Sequence, residues 1–279
     1  MLETNLPAPV LVVPDRPPLV RDLHAVGLLW RREVIRFRRN WAQIVLGLMT
    51  PLMFLFILGT GIDAAARSDG GGGYQAFLFP GVLLMAVQAP AVTVGASIVW
   101  DRQAGLLRQM LVAPVRRGAL VVGICLGGAT TGTLYGVAML AFAGLAGVPY
   151  DPWRMTAAML EVALTALAFA ALAVWAAVSL RRPETFQMVV TVAMMPLLFL
   201  SGAMFPASGL PGWLGAAVLA NPLTYAVDAV RRTLSSGFGD ATSPRWFGAV
   251  PPVAVEVGLI ALIALLALTL AARRFARAE

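Results

Sequence analysis

Residues 77–117 read FLFPGVLLMAVQAPAVTVGASIVWDRQAGLLRQMLVAPVRR. The first twenty-three positions carry no charged side chain, and the eighteen that follow carry five. Twenty-three helical residues rise about 34 Å, enough to cross a hydrocarbon core of about 30 Å. A membrane span therefore ends near Val99, and Trp100 opens a polar segment between two greasy ones. The whole chain of 279 residues agrees: 59% is hydrophobic and 13% is charged, where a soluble domain carries roughly a quarter charged residues. The reading is an all-α integral membrane protein.

Working outward, six transmembrane helices are expected near 43–61, 77–99, 119–147, 156–179, 186–205 and 250–272. Pro51, Pro90 and Pro196 fall inside spans and should kink them, which packed neighbours tolerate in a membrane. All 21 basic residues are arginine. Sixteen lie on the side that holds both termini and residues 100–117, against five on the other. The positive-inside rule then puts both termini in the cytoplasm. Excess arginine reads here as topology, not as nucleic-acid binding. Residues 1–20 hold five prolines and lack the basic head and apolar core of a cleavable signal. They read as a flexible arm, followed by residues 21–41 and a six-span domain over 42–279.

Residues 21–41, RDLHAVGLLWRREVIRFRRNW, place Leu23, Val26, Trp30, Val34, Phe37 and Trp41 at helical spacing, with arginines over much of the remainder. Such an amphipathic helix suits the inner membrane interface. A helix facing solvent is the plainer alternative. Residues 206–235 are moderately apolar and flank the turn signal Asn221-Pro222. Neither piece is long enough to cross, so two short re-entrant helices in the outer leaflet are expected.

Several chemistries are excluded. A phosphate-binding P-loop needs its lysine, and this chain has none. An intramembrane serine protease needs a histidine at membrane depth, yet the only histidine, His24, precedes the first span. Cys125 is the only cysteine, so metal sites built on His or Cys clusters are ruled out. Glu161 and Glu256 lie a few residues inside the fourth and sixth spans. Intramembrane acids often line pathways, and at these depths they can also snorkel to interfacial water. Gly127-Gly128-Ala129-Thr130-Thr131-Gly132 forms a small-residue face for close helix packing, or for a dimer or substrate surface. The fifth span, with Met188, Met194, Met195, Met204, Phe186, Phe199 and Phe205, offers either an adaptable greasy wall for cargo or an ordinary packed face.

Within the opening segment, Trp100, Ala104, Leu107 and Leu111 form a helical stripe widened by Leu106 and Met110. Asp101, Arg102, Gln103, Arg108 and Gln109 take the other face, and Pro114 stops the helix. A helix resting on lipid is one reading. The other is a lever tethered by a span at each end.

These residues carry a resemblance. Asp101-Arg102-Gln103, Gly105, Leu106-Leu107 and Pro114-Val115-Arg116-Arg117 follow the second span. Leu200-Ser201-Gly202-Ala203-Met204-Phe205-Pro206, Leu210-Pro211-Gly212-Trp213 and the run from Asn221 to Arg231 follow the fifth. Together they resemble the type-2 ABC-transporter permease family, in particular its daunorubicin-resistance-like exporter branch, from about residue 23 to the C-terminus. This sequence departs from the family at Gln103 and Arg108, where acids often stand.

The resemblance implies a multi-pass permease of the bacterial cell membrane that exports an amphipathic drug-like or lipid-like molecule. A polysaccharide or teichoic-acid-type exporter of the same fold is the first alternative; a membrane scaffold or enzyme without an ATPase is the second. It implies a homodimer on two cytoplasmic ATP-binding subunits, which would bind ATP and magnesium, so that this chain holds no cofactor and no metal and is not itself an enzyme. Residues 100–117 would be the coupling helix, with Asp101, Arg102, Gly105, Leu106, Arg108 and Pro114 at the ATPase. Trp30, Arg31, Arg32, Arg36 and Phe37 would belong to the interface helix beside it. Glu161, Glu256, Met195, Phe199, Phe205, Trp213 and Tyr225 would stand along the substrate path or gate near the outer helices.

Overall fold

The computed structural model describes residues 17–67, 73–105, 116–180, 182–235, 242–246 and 248–277. Among them the only β feature is an isolated bridge between Trp246 and Ala249. The helices are α1 (Pro18–Arg39), α2 (Trp41–Met53), α3 (Gly59–Arg67), α4 (Tyr74–Gln103), α5 (Arg117–Leu140), α6 (Pro152–Ser179), α7 (Pro183–Phe199), α8 (Gly212–Ala220), α9 (Pro222–Leu234) and α10 (Val253–Arg277). A π-turn over Phe54–Leu58 joins α2 to α3 without a break, shortly after Pro51. Among the described residues, five helical stretches are long and apolar enough to cross a membrane: Trp41–Ala65, α4, α5, α6 and α10.

The sixth expected span falls on α7, a shorter apolar helix of 17 residues that rises only about 25 Å. The expected span to residue 205 is corrected here. Helix α7 stops at Phe199, and Gly202 takes a left-handed φ of 69°, a conformation that glycine adopts without a Cβ penalty. Met204 and Phe205 therefore sit beyond the helix. The third span likewise ends at Leu140, ahead of a 3-10 turn at Ala143–Ala146.

Helices α4, α5 and α6 form the packed centre, and small residues explain how closely they approach. A Cβ on Gly132 would lie 2.9 Å from the Ala166 Cβ and 3.0 Å from the Val87 carbonyl oxygen. One on Gly128 would lie 2.8 Å from the Val94 methyls. The opposite face of α5 receives α1, with Val26 and Leu29 at Gly123 and Glu33 at Gly127. Here the small-residue face packs within the protomer. By contrast α7, the first span and α10 leave most of their apolar surface exposed.

One end of the bundle, the base, holds the start of α1 and the end of α10 together with the α4–α5 and α6–α7 connections. The opposite end, the crown, holds α3, α8 and α9. At the crown, the Asp63 carboxylate accepts from the backbone N–H groups of Tyr74 (2.6 Å) and Gln75 (3.3 Å) and caps α4. The Asn221 side chain accepts from Leu223 N–H and donates to the Leu197 carbonyl at 2.7 Å. This one residue starts α9 and ties it to α7.

Candidate functional site

The segment from Asp101 to Arg117 is held at both of its ends. At its entry, Arg32 Nη2 lies 3.0 Å from Glu33 Oε1 and 3.2 Å from Asp101 Oδ2. Beside this network, Arg102 Nη1 donates to the Leu180 carbonyl at 2.9 Å. At its exit, the Arg116 N–H donates to Asp22 Oδ1 at 3.0 Å, and Arg117 Nη1 donates to the Ala276 carbonyl at 2.6 Å. Helix α1 therefore spans the two ends of the segment, through Arg32 at one and Asp22 at the other. The ends of α6 and α10 join the same clamp.

Local chemistry puts α1 there. The stripe that meets α5 is Val26, Leu29, Trp30, Glu33 and Phe37, with Trp30 still 42% exposed. Trp30 Nε1 donates to Thr130 Oγ1 at 2.9 Å, and the Phe37 ring meets Tyr135 edge-on at 5.8 Å. Glu33 lies inside this stripe and is buried. Burial of a carboxylate requires a partner, and Arg32 supplies it. Of the other interface-helix candidates, Arg31 and Arg36 are exposed.

The expected helix opening at Trp100 is corrected at its start. Trp100 to Gln103 are the last turn of α4, and Gly105 takes φ 73°, which L-residues with a Cβ disfavour. Its N–H donates to the Arg102 carbonyl at 3.2 Å, so the chain turns out of the α4 axis at this point. Asp101 and Arg102 are engaged within the protomer. Leu106, Arg108 and Pro114 lie outside the described residues.

Tight packing of α1 makes a testable statement. A Cβ on Gly127 would fall 2.7 Å from the Glu33 Cβ and Cγ, and overpacking costs about 1–3 kcal/mol. Gly127→Leu is expected to loosen α1 and speed tryptic cleavage at Arg31 and Arg32 by about tenfold. Gly215→Leu, whose Cβ meets nothing within 4 Å, should leave the cleavage rate unchanged.

At the crown, the candidates near the outer helices separate into two groups. Glu161 and Glu256 do not reach water: both are buried, Glu256 at 0% exposure. Snorkelling is thereby corrected. Glu161 accepts from Thr233 Oγ1 at 2.7 Å. Arg232 Nη1 lies 3.6 Å from Asp228 Oδ2 and 3.9 Å from Glu256 Oε2. Ser243 donates to the other Asp228 oxygen at 2.9 Å. This cluster joins α6, α9 and α10. Tyr225 is buried too; its hydroxyl donates to the Leu219 carbonyl and its ring meets Trp246 edge-on at 5.7 Å. In contrast Met195, Phe199 and Trp213 are exposed, and Phe205 is half-buried.

Sequence reading gave Arg231 no structural role, counting it toward topology and as the end of the Asn221–Arg231 run. It is 2% exposed, donates to the Gly202 carbonyl at 2.8 Å and the Phe77 carbonyl at 3.4 Å, and stacks over the Phe77 ring at 4.1 Å. Burial lowers its pKa to about 10, against the nearby Asp228 carboxylate, which raises it. It stays charged at neutral pH. No single residue signals this role, because its partners lie far away in sequence.

Candidate spans joined by a polar segment held at both of its ends, with the short helices α8 and α9 at the opposite end of the bundle, describe a multi-pass membrane protein. Residues 24–234 match the ABC-2 type transporter family, and the chain belongs to that family. It is 31% identical to Nodulation protein J of Rhizobium leguminosarum bv. trifolii over 207 residues, covering 73% of this chain and 78% of that one. It is 28% identical to the Inner membrane transport permease YadH of Escherichia coli strain K12 over 210 residues, covering 74% and 81%. Against Nodulation protein J of Sinorhizobium fredii strain NGR234 it is 28% identical over 239 residues, covering 83% and 91%. The protein is a multi-pass membrane permease.

Proposed function

We propose that this chain is the permease subunit of an ATP-driven exporter of the bacterial cytoplasmic membrane, moving an amphipathic drug-like or lipid-like molecule outward. Two copies form a homodimer on two copies of a separate ATP-binding subunit, which binds ATP and magnesium. In this reading the base of the bundle faces the cytoplasm, which the count of sixteen arginines against five in the sequence supports. The observation that carries the reading is the clamp around residues 101–117. A segment tied at both ends to α1, and anchored to the ends of α6 and α10, transmits a push from a docked ATPase to these three helices as well as to α4 and α5. Arg108 and Leu106 are the side chains assigned to the ATPase surface, while Asp101 and Arg102 hold the segment in place.

Copurification in mild detergent tests this. The wild-type chain should bring down an ATP-binding subunit at equal stoichiometry, and Arg108→Glu should lose it. Arg102→Glu should keep the subunit and lose export. Retention of both the subunit and export in both variants sinks the assignment. A cargo bearing sugars is the second reading, favoured by Tyr150, Trp153 and Trp213 exposed at the crown, since aromatic faces stack on sugar rings. Competition of export by a soluble glycan, against a drug-like amphiphile, separates the two.

A further inference from the structure

Helices α1 and α2 meet at Asn40, a single non-helical residue. Under that elbow lies a cleft of about 110 Å³ between α1, α2, α4 and α5, lined by Arg36, Asn40, Gln43, Thr93 and Tyr135 among others. Polar side chains gathered against two spans need a reason, because lipid offers them no hydrogen bonds. The hydroxyls account for themselves. Tyr135 donates to the Gln43 carbonyl at 3.0 Å, and Thr93 donates to the Pro90 carbonyl at 2.6 Å. Gln43 Oε1 accepts from Asn40 Nδ2, which leaves the Gln43 Nε2 group as a free donor among the described residues.

Charge decides what kind of ligand suits the cleft. Its one acid, Glu33, is already paired with Arg32 at 3.0 Å. Arg36 lines the cleft, is exposed, and has no ion pair among the described residues. Arg38 and Arg39 follow it in the last turn of α1. The net field is positive, and the donors are a guanidinium and an amide, the set that recognises a phosphate. Beside the elbow, Ile35, Trp41 and Val45 are exposed apolar side chains. An occupant with a charged head and greasy chains satisfies both surfaces, whereas free phosphate satisfies one.

We propose that this cleft binds the phosphate head of an anionic membrane lipid, with Arg36 as its charged partner and Gln43 as its second donor. The chains lie along the exposed face of α1 and α2. A head bridging Arg36 on α1 and Gln43 on α2 fixes the angle of the elbow, and so the position of the clamped helix relative to the first span. The site does not depend on an ATPase or on which cargo is moved, so its failure and the failure of the exporter reading are separately visible.

The test is a native mass-spectrometry titration of the full-length protein with phosphatidylglycerol. One lipid should bind preferentially, with phosphatidylcholine clearly weaker and inorganic phosphate unable to displace it. Arg36→Gln should weaken that binding about tenfold, the loss of one charge-assisted contact. Arg38→Gln, outside the cleft lining, should leave it nearly unchanged. Gln43→Leu supplies a second variant should R36Q elute poorly from size exclusion, and is expected to weaken binding by a few-fold. Equal losses for R36Q and R38Q would mean diffuse attraction to the bilayer and overturn the site. So would equal binding of phosphatidylcholine, or complete displacement by inorganic phosphate.

Discussion

Arg231→Ala is expected to lower the apparent melting temperature of the detergent-solubilised protein by about 10 °C. Removing one member of a buried charge network costs about 3–5 kcal/mol, and each kcal/mol shifts a protein of this size by about 2–4 °C. The guanidinium of Arg231 donates to two backbone carbonyls, Gly202 and Phe77, and covers an aromatic face. Gly202 belongs to the turn that ends α7, and Phe77 to the start of α4, while Arg231 itself sits on α9. One side chain therefore joins three elements, and its loss strands two carbonyls in a place that water does not reach. Arg231→Lys keeps the charge but loses the planar fork and the stacking, so it should fall between wild type and alanine. Arg232→Ala is the internal comparison. Arg232 is partly exposed, with its carboxylate partners at 3.6 and 3.9 Å, and the expected shift is smaller. If Arg231→Ala melted with the wild type, the crown would have to be held by its apolar packing and by the Asn221, Thr233 and Arg232 contacts without it.

Arg231 also shows where sequence reading reaches its limit. The spans were legible because apolar length is a local property, and the hairpin of α8 and α9 was legible because Asn221-Pro222 is a local turn signal. The apolar stripe of α1 was legible in part: Val26, Trp30 and Phe37 do meet α5, while Leu23 and Trp41 are exposed. What was not legible is which charges meet. Arg231 and Arg232 are neighbours in sequence, yet one stacks on Phe77 and the other faces Glu256. Likewise Glu161 and Glu256 were visible as acids inside spans. That Thr233 and Arg232 would cover them depends on how α9 crosses α6 and α10. Glu33 carried the one faint signal that was overlooked, a lone acid in the run RREVIRFRR, at a position that continues the apolar stripe. The ends of elements failed for a related reason. A glycine reads only as permissive in sequence, and nothing local says that Gly105 and Gly202 take the left-handed conformation that stops α4 and follows the end of α7.

Arg32→Glu is expected to abolish export while leaving the bundle folded, and Asp101→Arg in the same chain is expected to restore part of it. Arg32 stands between Glu33 and Asp101, at 3.0 and 3.2 Å, so a glutamate there would bring three carboxylates together. Juxtaposed like charges cost several kcal/mol, far more than the ~1 kcal/mol that a partly exposed ion pair contributes. The strain is relieved most easily by swinging the entry end of the α4–α5 segment away from α1, because the grip of α1 on α5 rests on Gly123, Gly127, Trp30 and the Asp22–Arg116 pair and does not pass through Arg32. In the proposed exporter, a segment whose entry end is released from α1 still docks the ATP-binding subunit but no longer carries that part of α1 with it. ATP hydrolysis by the copurified complex should therefore continue without export, the signature of uncoupling rather than of unfolding. The reversed pair, R32E with D101R, places the new arginine between Glu33 and the new glutamate and recreates one positive charge among two acids. Rescue by the double variant separates a role in transmission from general damage, because two independently harmful changes would otherwise add. Should R32E export normally, the entry clamp would be an ornament of packing, and the push on residues 101–117 would have to reach the spans through the Arg116–Asp22 end alone.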